Sequence, residues 1–182
     1  LFPIPDQTAH AAIVECQVSD CFPACRLRRI VGWIVLIPAV VMGVAAGGQT
    51  VRWVKEAGGV DDDYGAALTL DAAGNVYATG FFVGPSKFGS STLTGLGGQD
   101  IFLLKMDRNG NSLWAKQAGG TGSEQGQGIA VDRNGQIYVA GFFEGAARFD
   151  DLSVTSRGGA DLFIAKFDDS GKALWAASAG GN

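Results

Sequence analysis

The amino-acid sequence predicts an all-β protein built from a repeated, four-stranded antiparallel unit. Three observations carry this expectation. The chain repeats itself at a fixed interval, without a gap. Glycine is in surplus, with 28 residues, and 26 of them lie from Gly47 onward at places where tight turns are needed. After Ala46 no segment has a helical period of apolar residues.

The repeat is the strongest of the three. Trp53, Trp114 and Trp175 are evenly spaced, and an Ala-Gly-Gly follows each at 57–59, 118–120 and 179–181. DAAGNVYATGFF at 71–82 aligns with DRNGQIYVAGFF at 132–143, and residues 53–113 share 23 of 61 positions with residues 114–174. Within the first unit, strands are expected at Ala66–Asp71, Asn75–Phe82, Asp100–Asp107 and Asn111–Ala118. The second unit repeats them at Gly128–Asp132, Gln136–Phe143, Asp161–Asp168 and Lys172–Ser178, and a leading strand is expected at Val51–Ala57. DIFLLKMD at 100–107 is almost continuously apolar, as a strand covered on both faces is.

The turns agree. Asp71-Ala-Ala-Gly74 and Asp132-Arg-Asn-Gly135 join the first strand to the second. Asp107-Arg-Asn-Gly110 and Asp168-Asp-Ser-Gly171 join the third to the fourth. In each, the aspartate can accept a backbone N–H while glycine takes the positive-φ position. Asp107-Arg-Asn-Gly-Asn lacks the spacing and the distal glutamate of a calcium loop. Between strands two and three run longer excursions, Val83–Gln99 and Glu144–Ala160. Each carries matched apolar residues, Phe88 with Leu93 and Phe149 with Val154, which predicts an ordered hairpin or flap. Four antiparallel strands at a fixed period describe a propeller blade. The fold class is therefore a partial β-propeller of about two four-stranded antiparallel blades, preceded by an apolar N-terminal helix, with a β-solenoid as the alternative.

That helix is read from residues 26–46. Arg26, Arg28 and Arg29 precede an uncharged apolar run from Ile30 to Ala46. The arginines hold their end in the cytoplasm and send the downstream residues to the periplasm or the exterior. Seventeen residues make a helix of roughly 25 Å, short of the roughly 30 Å bilayer core. Val44-Ala45-Ala46 provides small residues where a signal peptidase cuts, so a cleaved signal is preferred to a membrane anchor. Residues 1–25 read as a disordered tail or mistaken leader. Cys16, Cys21 and Cys25 fall there in a spacing only loosely like a metal cluster, and the remainder has no cysteine. Residues 47–182 form the repeat domain, with units 53–113 and 114–174 and the start of a third at Trp175.

Charge narrows the partners. Net charge is -4, and from Gly47 onward 11 Lys and Arg face 15 Asp and Glu. A nucleic-acid surface needs clustered positive charge, so nucleic acid is excluded as an expected partner. A membrane is expected to be touched only through residues 30–46, if they are uncleaved.

These motifs resemble the bacterial SBBP repeat family, named for seven-bladed β-propellers. The matching features are DAAGNVYATGFF, the downstream FG with its LT pair, D-x-F-x-x-K-x-D-x-x-G and LWAKQAGG, in order and twice. Asp150 replaces Gly89 in the second unit, which affects a turn. The resemblance implies a secreted or cell-surface protein with further blades, and it brings no general catalytic set.

The expected function is a non-catalytic binding or scaffolding module for a protein or glycan. Two units leave apolar blade faces open, so further blades or copies are expected to complete the ring. No catalytic, cofactor-binding or metal residue is assigned. The candidate ligand loop is Asp61-Asp62-Asp63-Tyr64, matched by Gly122-Ser123-Glu124-Gln125, where acids could hold Ca²⁺ through oxygens. A solvated loop is the plainer reading. The alternative function is a fragment of a secreted propeller enzyme, a hydrolase or lyase, with its catalytic residues outside this chain. After Ala46 there is no histidine or cysteine, and recurring acids such as Asp100 and Asp161 read as structural. The recurring tryptophans could stack on sugars, but their place in the repeat favours packing between blades.

Overall fold

A computed structural model describes residues 12–15 and 51–181. The apolar run at 30–46 and the three cysteines lie outside the described residues. Among the described residues every element is a strand. β1 (Ala12–Glu15) falls in the segment read as a tail or leader. It pairs antiparallel with β2 (Val54–Gly59).

Each repeat unit forms one four-stranded antiparallel blade. The first consists of β3 (Tyr64–Leu70), β4 (Val76–Phe82), β7 (Asp100–Met106) and β8 (Ser112–Gly120), hydrogen-bonded in that order. The second consists of β9 (Glu124–Val131), β10 (Ile137–Phe143), β13 (Asp161–Phe167) and β14 (Ala173–Ala179). No parallel pairing occurs among the described strands, so the solenoid alternative fails. The excursions are hairpins: β5 (Pro85–Phe88) with β6 (Ser91–Thr94), and β11 (Ala146–Phe149) with β12 (Leu152–Thr155).

The hairpins also explain why the fourth strands run further than expected. β8 continues through Gly119 and Gly120, which pair with Arg148 and Ala147 of β11. β2 does the same, with Gly58 and Gly59 against Lys87 and Ser86 of β5. The Gly-Gly thus joins one blade to the hairpin of the next. β9 starts at Glu124 instead of Gly128, because the glycine-rich stretch 124–128 pairs with β10 across a bulge at Ala140/Gly141.

The four aspartate turns have one design. The Asp71 carboxylate accepts the N–H of Ala73 and of Asn75, both at 2.9 Å. Asp107, Asp132 and Asp168 do the same two and four residues on. The glycine takes φ between 77° and 82° in all four. Asp150 keeps the positive φ of Gly89, 53° against 64°, and its carboxylate accepts the Ala173 N–H at 2.7 Å.

Trp114 packs between the two blades and Trp53 against the first, whereas Trp175 is exposed. Trp114 Nε1 donates to the Asp169 carbonyl at 3.2 Å, and Trp53 Nε1 to the Arg108 carbonyl at 3.1 Å. Each ring lies against the glycine of that turn, Trp114 on Gly171 and Trp53 on Gly110. Gly171→Ala is therefore expected to cost about 1–2 kcal/mol, from positive φ and from the crowded ring. Urea unfolding with an unchanged m-value checks it.

Two apolar layers result. Tyr77, Ile101 and Leu103 on one face of the first blade meet Ile137, Val139 and Phe163 of the second. The other face of the first blade, with Ala78, Phe102 and Leu104, is closed by Phe88 and Leu93 of its hairpin and by Trp53 and Ala57. β7 is consequently buried at every position, as its composition predicts. Its counterpart β13 alternates buried and exposed residues, because nothing among the described residues covers its outer face.

Candidate functional site

Two ends of the blades carry different chemistry. At one end lie the hairpins, the links between blades and most of the acids singled out from sequence. The Asp61–Tyr64 loop does not gather into a cluster. Asp61 and Asp62 are exposed, and Tyr64 stacks on Phe81 with ring centroids 5.7 Å apart. Asp63 turns inward. It accepts the Gly59 N–H at 2.5 Å and the Ser86 hydroxyl at 2.9 Å. Burial raises its pKa, against those hydrogen bonds. Among the described residues no three His, Cys, Asp or Glu side chains group to hold a metal ion.

Glu124 occupies the equivalent position one unit later, and it has a partner that the sequence pattern did not join to it. Glu124 and Asp100 are both 0% exposed. Glu124 Oε2 accepts the Gly120 N–H at 2.7 Å, and Asp100 Oδ2 accepts the Leu96 N–H at 2.7 Å. Their second oxygens, Glu124 Oε1 and Asp100 Oδ1, have no hydrogen-bond partner among the described residues. Both carboxylates face Gly119, where a side-chain carbon would collide with them. Only glycine leaves room for two acids at this seam. Burial pushes the Glu124 carboxyl up to about 7, and the charges of Asp100 and Glu144 add to it against the Gly120 hydrogen bond. Burial also raises Asp100.

Parts of the arrangement repeat with the period of the chain. Gly58 sits against Asp63, and Gly180 against Asp161. Asp161 accepts the Arg157 N–H at 2.7 Å, as Asp100 does that of Leu96. The junction between the two blades thus seats an acid from the third strand of one and an acid from the first strand of the next. A signal was present in sequence: each of these acids follows a Gly-Gly by no more than four residues (Gly58-Gly59, Gly97-Gly98, Gly119-Gly120 and Gly158-Gly159). The acids hold loops and blades together. Asp100, Glu124 and Asp161 are buried, where a surface ligand does not reach them.

The opposite end carries a different contact. Lys105 Nζ on β7 meets Asp169 Oδ1, in the β13–β14 turn, at 2.5 Å. The Tyr77 hydroxyl lies 3.0 Å from that same oxygen and 3.2 Å from Asp71 Oδ2. Lys105 also sits over the Tyr77 ring, 5.2 Å from its centroid. Burial raises the Tyr77 pKa, and the neighbouring Asp169 and Asp71 charges raise it further. Nearby, β2 and the first hairpin bound an open cleft of about 290 Å³, lined by Lys55, Glu56, Leu104 and Ser112.

Comparison with known proteins agrees with the blade reading. The SBBP beta-propeller repeat family model matches residues 113–141, which run from the end of the first unit into β10. An uncharacterized WD repeat-containing protein of Acanthamoeba polyphaga mimivirus is 30% identical over 101 residues, covering 52% of this chain. The match spans 7% of that relative's length. The chain therefore carries β-propeller repeats.

Proposed function

We propose that this chain is a non-catalytic propeller module, exported to the bacterial cell surface, which scaffolds or binds a protein or glycan as part of a larger ring. One observation carries the reading. Ile101 and Leu103 are 2% and 3% exposed, whereas their equivalents in the second unit, Leu162 and Ile164, are 52% and 43% exposed. The difference between the two places is a covering blade. A face of that kind, apolar and left open, calls for a further unit or partner. Support for a non-catalytic role comes from the acids. The buried pair Asp100 and Glu124 has no access to substrate, and the four turn aspartates are committed to backbone N–H groups.

Export rests on Arg26, Arg28 and Arg29 before the apolar run, outside the described residues. Protease added to intact cells should remove residues 47–182 without lysis. Protection that persists after the outer envelope is opened to admit protease to the periplasm, and is lost only on lysis, would overturn export. Pull-down and glycan-array binding by the intact protein test the binding role, and hydrolysis of a substrate by it, lost in Asp100→Asn, would overturn the non-catalytic reading.

A further inference from the structure

The open face of the second blade carries one half of the contact that joins the first two blades. The junction between the first two blades has a generic part and a selective part. The generic part is the tryptophan: Trp53 and Trp114 each donate to a backbone carbonyl of the next blade's third turn, whichever residue stands there. The selective part is the side chain at that position. In the second blade it is Asp169, which pairs with Lys105 and Tyr77. In the first blade the equivalent residue is Arg108.

The second blade repeats the receiving half of this contact. Lys166 lies over the Tyr138 ring at 5.2 Å, the distance at which Lys105 lies over Tyr77. Trp175 packs edge-on against Tyr138 as Trp114 does against Tyr77, both at 6.5 Å. The acid that completes the first junction has no counterpart here among the described residues. We propose that this face accepts a further repeat unit with an acidic side chain at the Asp169 position, and disfavours one with a basic side chain there. Were a unit with arginine at that position to dock there, as the first blade has in Arg108, its guanidinium would face Lys166 as the junction closed. A lysine whose side chain is 8% exposed at the occupied junction needs an opposite charge, and a like charge there opposes closure.

The inference rests on the reading that the ring continues past the second blade, and the test separates the two. Cys16, Cys21 and Cys25 are replaced by serine and Leu162→Cys is introduced as a labelling site. The chain is then extended after Asn182 by a duplicate of residues 122–182, which keeps the repeat register. A second version carries Asp169→Arg in the duplicate only. The aspartate version should slow thiol labelling at Leu162→Cys by about tenfold or more, and the arginine version by about threefold or less. Equal protection by both would overturn the selectivity and leave ring continuation standing. No protection by either would overturn both. In the unextended chain, Asp169→Arg should speed labelling of Ile101→Cys by about tenfold. An unchanged rate there would also overturn the selectivity.

Discussion

Replacing Phe149 with alanine is expected to destabilise the repeat domain by about 3–5 kcal/mol, as deletion of a fully buried aromatic side chain does. Phe149 is 1% exposed and stands on the hairpin between the second and third strands. Its ring lies 5.1 Å from that of Phe163 and 6.3 Å from that of Phe167. The hairpin is thereby part of the core, and its outer strand lends further apolar cover through Leu152 and Val154. Val154→Ala should cost less, about 1 kcal/mol, because Val154 is only half-buried. Denaturant unfolding followed by far-ultraviolet circular dichroism distinguishes the two. A Phe149→Ala change below about 1 kcal/mol would mean that the hairpin lies loosely on the blade.

Stability is also expected to fall as pH rises from about 4.5 to about 7, by about 2–3 kcal/mol. The sign follows from Glu124. Its ordinary pKa is 4.5 and burial raises it to about 7 in the folded chain. Between those values the folded state holds a proton that the unfolded state has lost. The contribution is complete below the unfolded value, disappears through that window and stays lost above it. Asp100 and Asp63 are raised as well and act in the same direction. The turn aspartates act oppositely. Asp107 is held below its ordinary value by hydrogen bonds from Asn111, Asp132 by the Gln136 N–H, and Asp168 by Ser170 and the Lys172 N–H. What they contribute is lost in acid, as pH falls through those lowered values. Maximal stability is therefore expected near pH 4–5.

Glu124→Gln should flatten the slope and raise stability at pH 8 by about 1–3 kcal/mol, or about 5 °C in Tm. The amide keeps an oxygen for the Gly120 N–H and buries no charge beside Asp100. Thermal melts across this pH range test it. A slope that survives in Glu124→Gln would place the titrating group elsewhere.

Much of the fold was legible in the residues because repetition makes each local signal appear twice. Asp71 and Gly74 fix one turn, and Asp132 and Gly135 repeat it, so the hairpins and the eight blade strands could be placed. Phe88 and Phe149 marked the excursions as ordered. Strand ends were less legible. β8 reaches Gly120 and β9 begins at Glu124, and glycine-rich stretches of this kind have no β propensity of their own. Their strand character comes from Arg148, Ala147 and β10 across the ladder.

The rim was legible only in part. Glu124 stood out as an acid matched to the Asp61–Tyr64 loop, but its partner is Asp100, which begins β7 on the blade before. Only the folding of one blade against the next brings those two to the same glycine. Asp61 and Asp62, offered as ligand candidates beside the plainer reading of a solvated loop, are both exposed.

Two equivalent blades lie face to face, the first covered by the second and the second open. Thiol labelling of single cysteines at equivalent positions tests this arrangement most directly, in the full chain with its three native cysteines replaced by serine. Leu162→Cys should react at nearly the rate of an unfolded thiol, and Ile101→Cys at least about a hundredfold more slowly, through opening of the junction. Equal rates at the two sites would contradict the account.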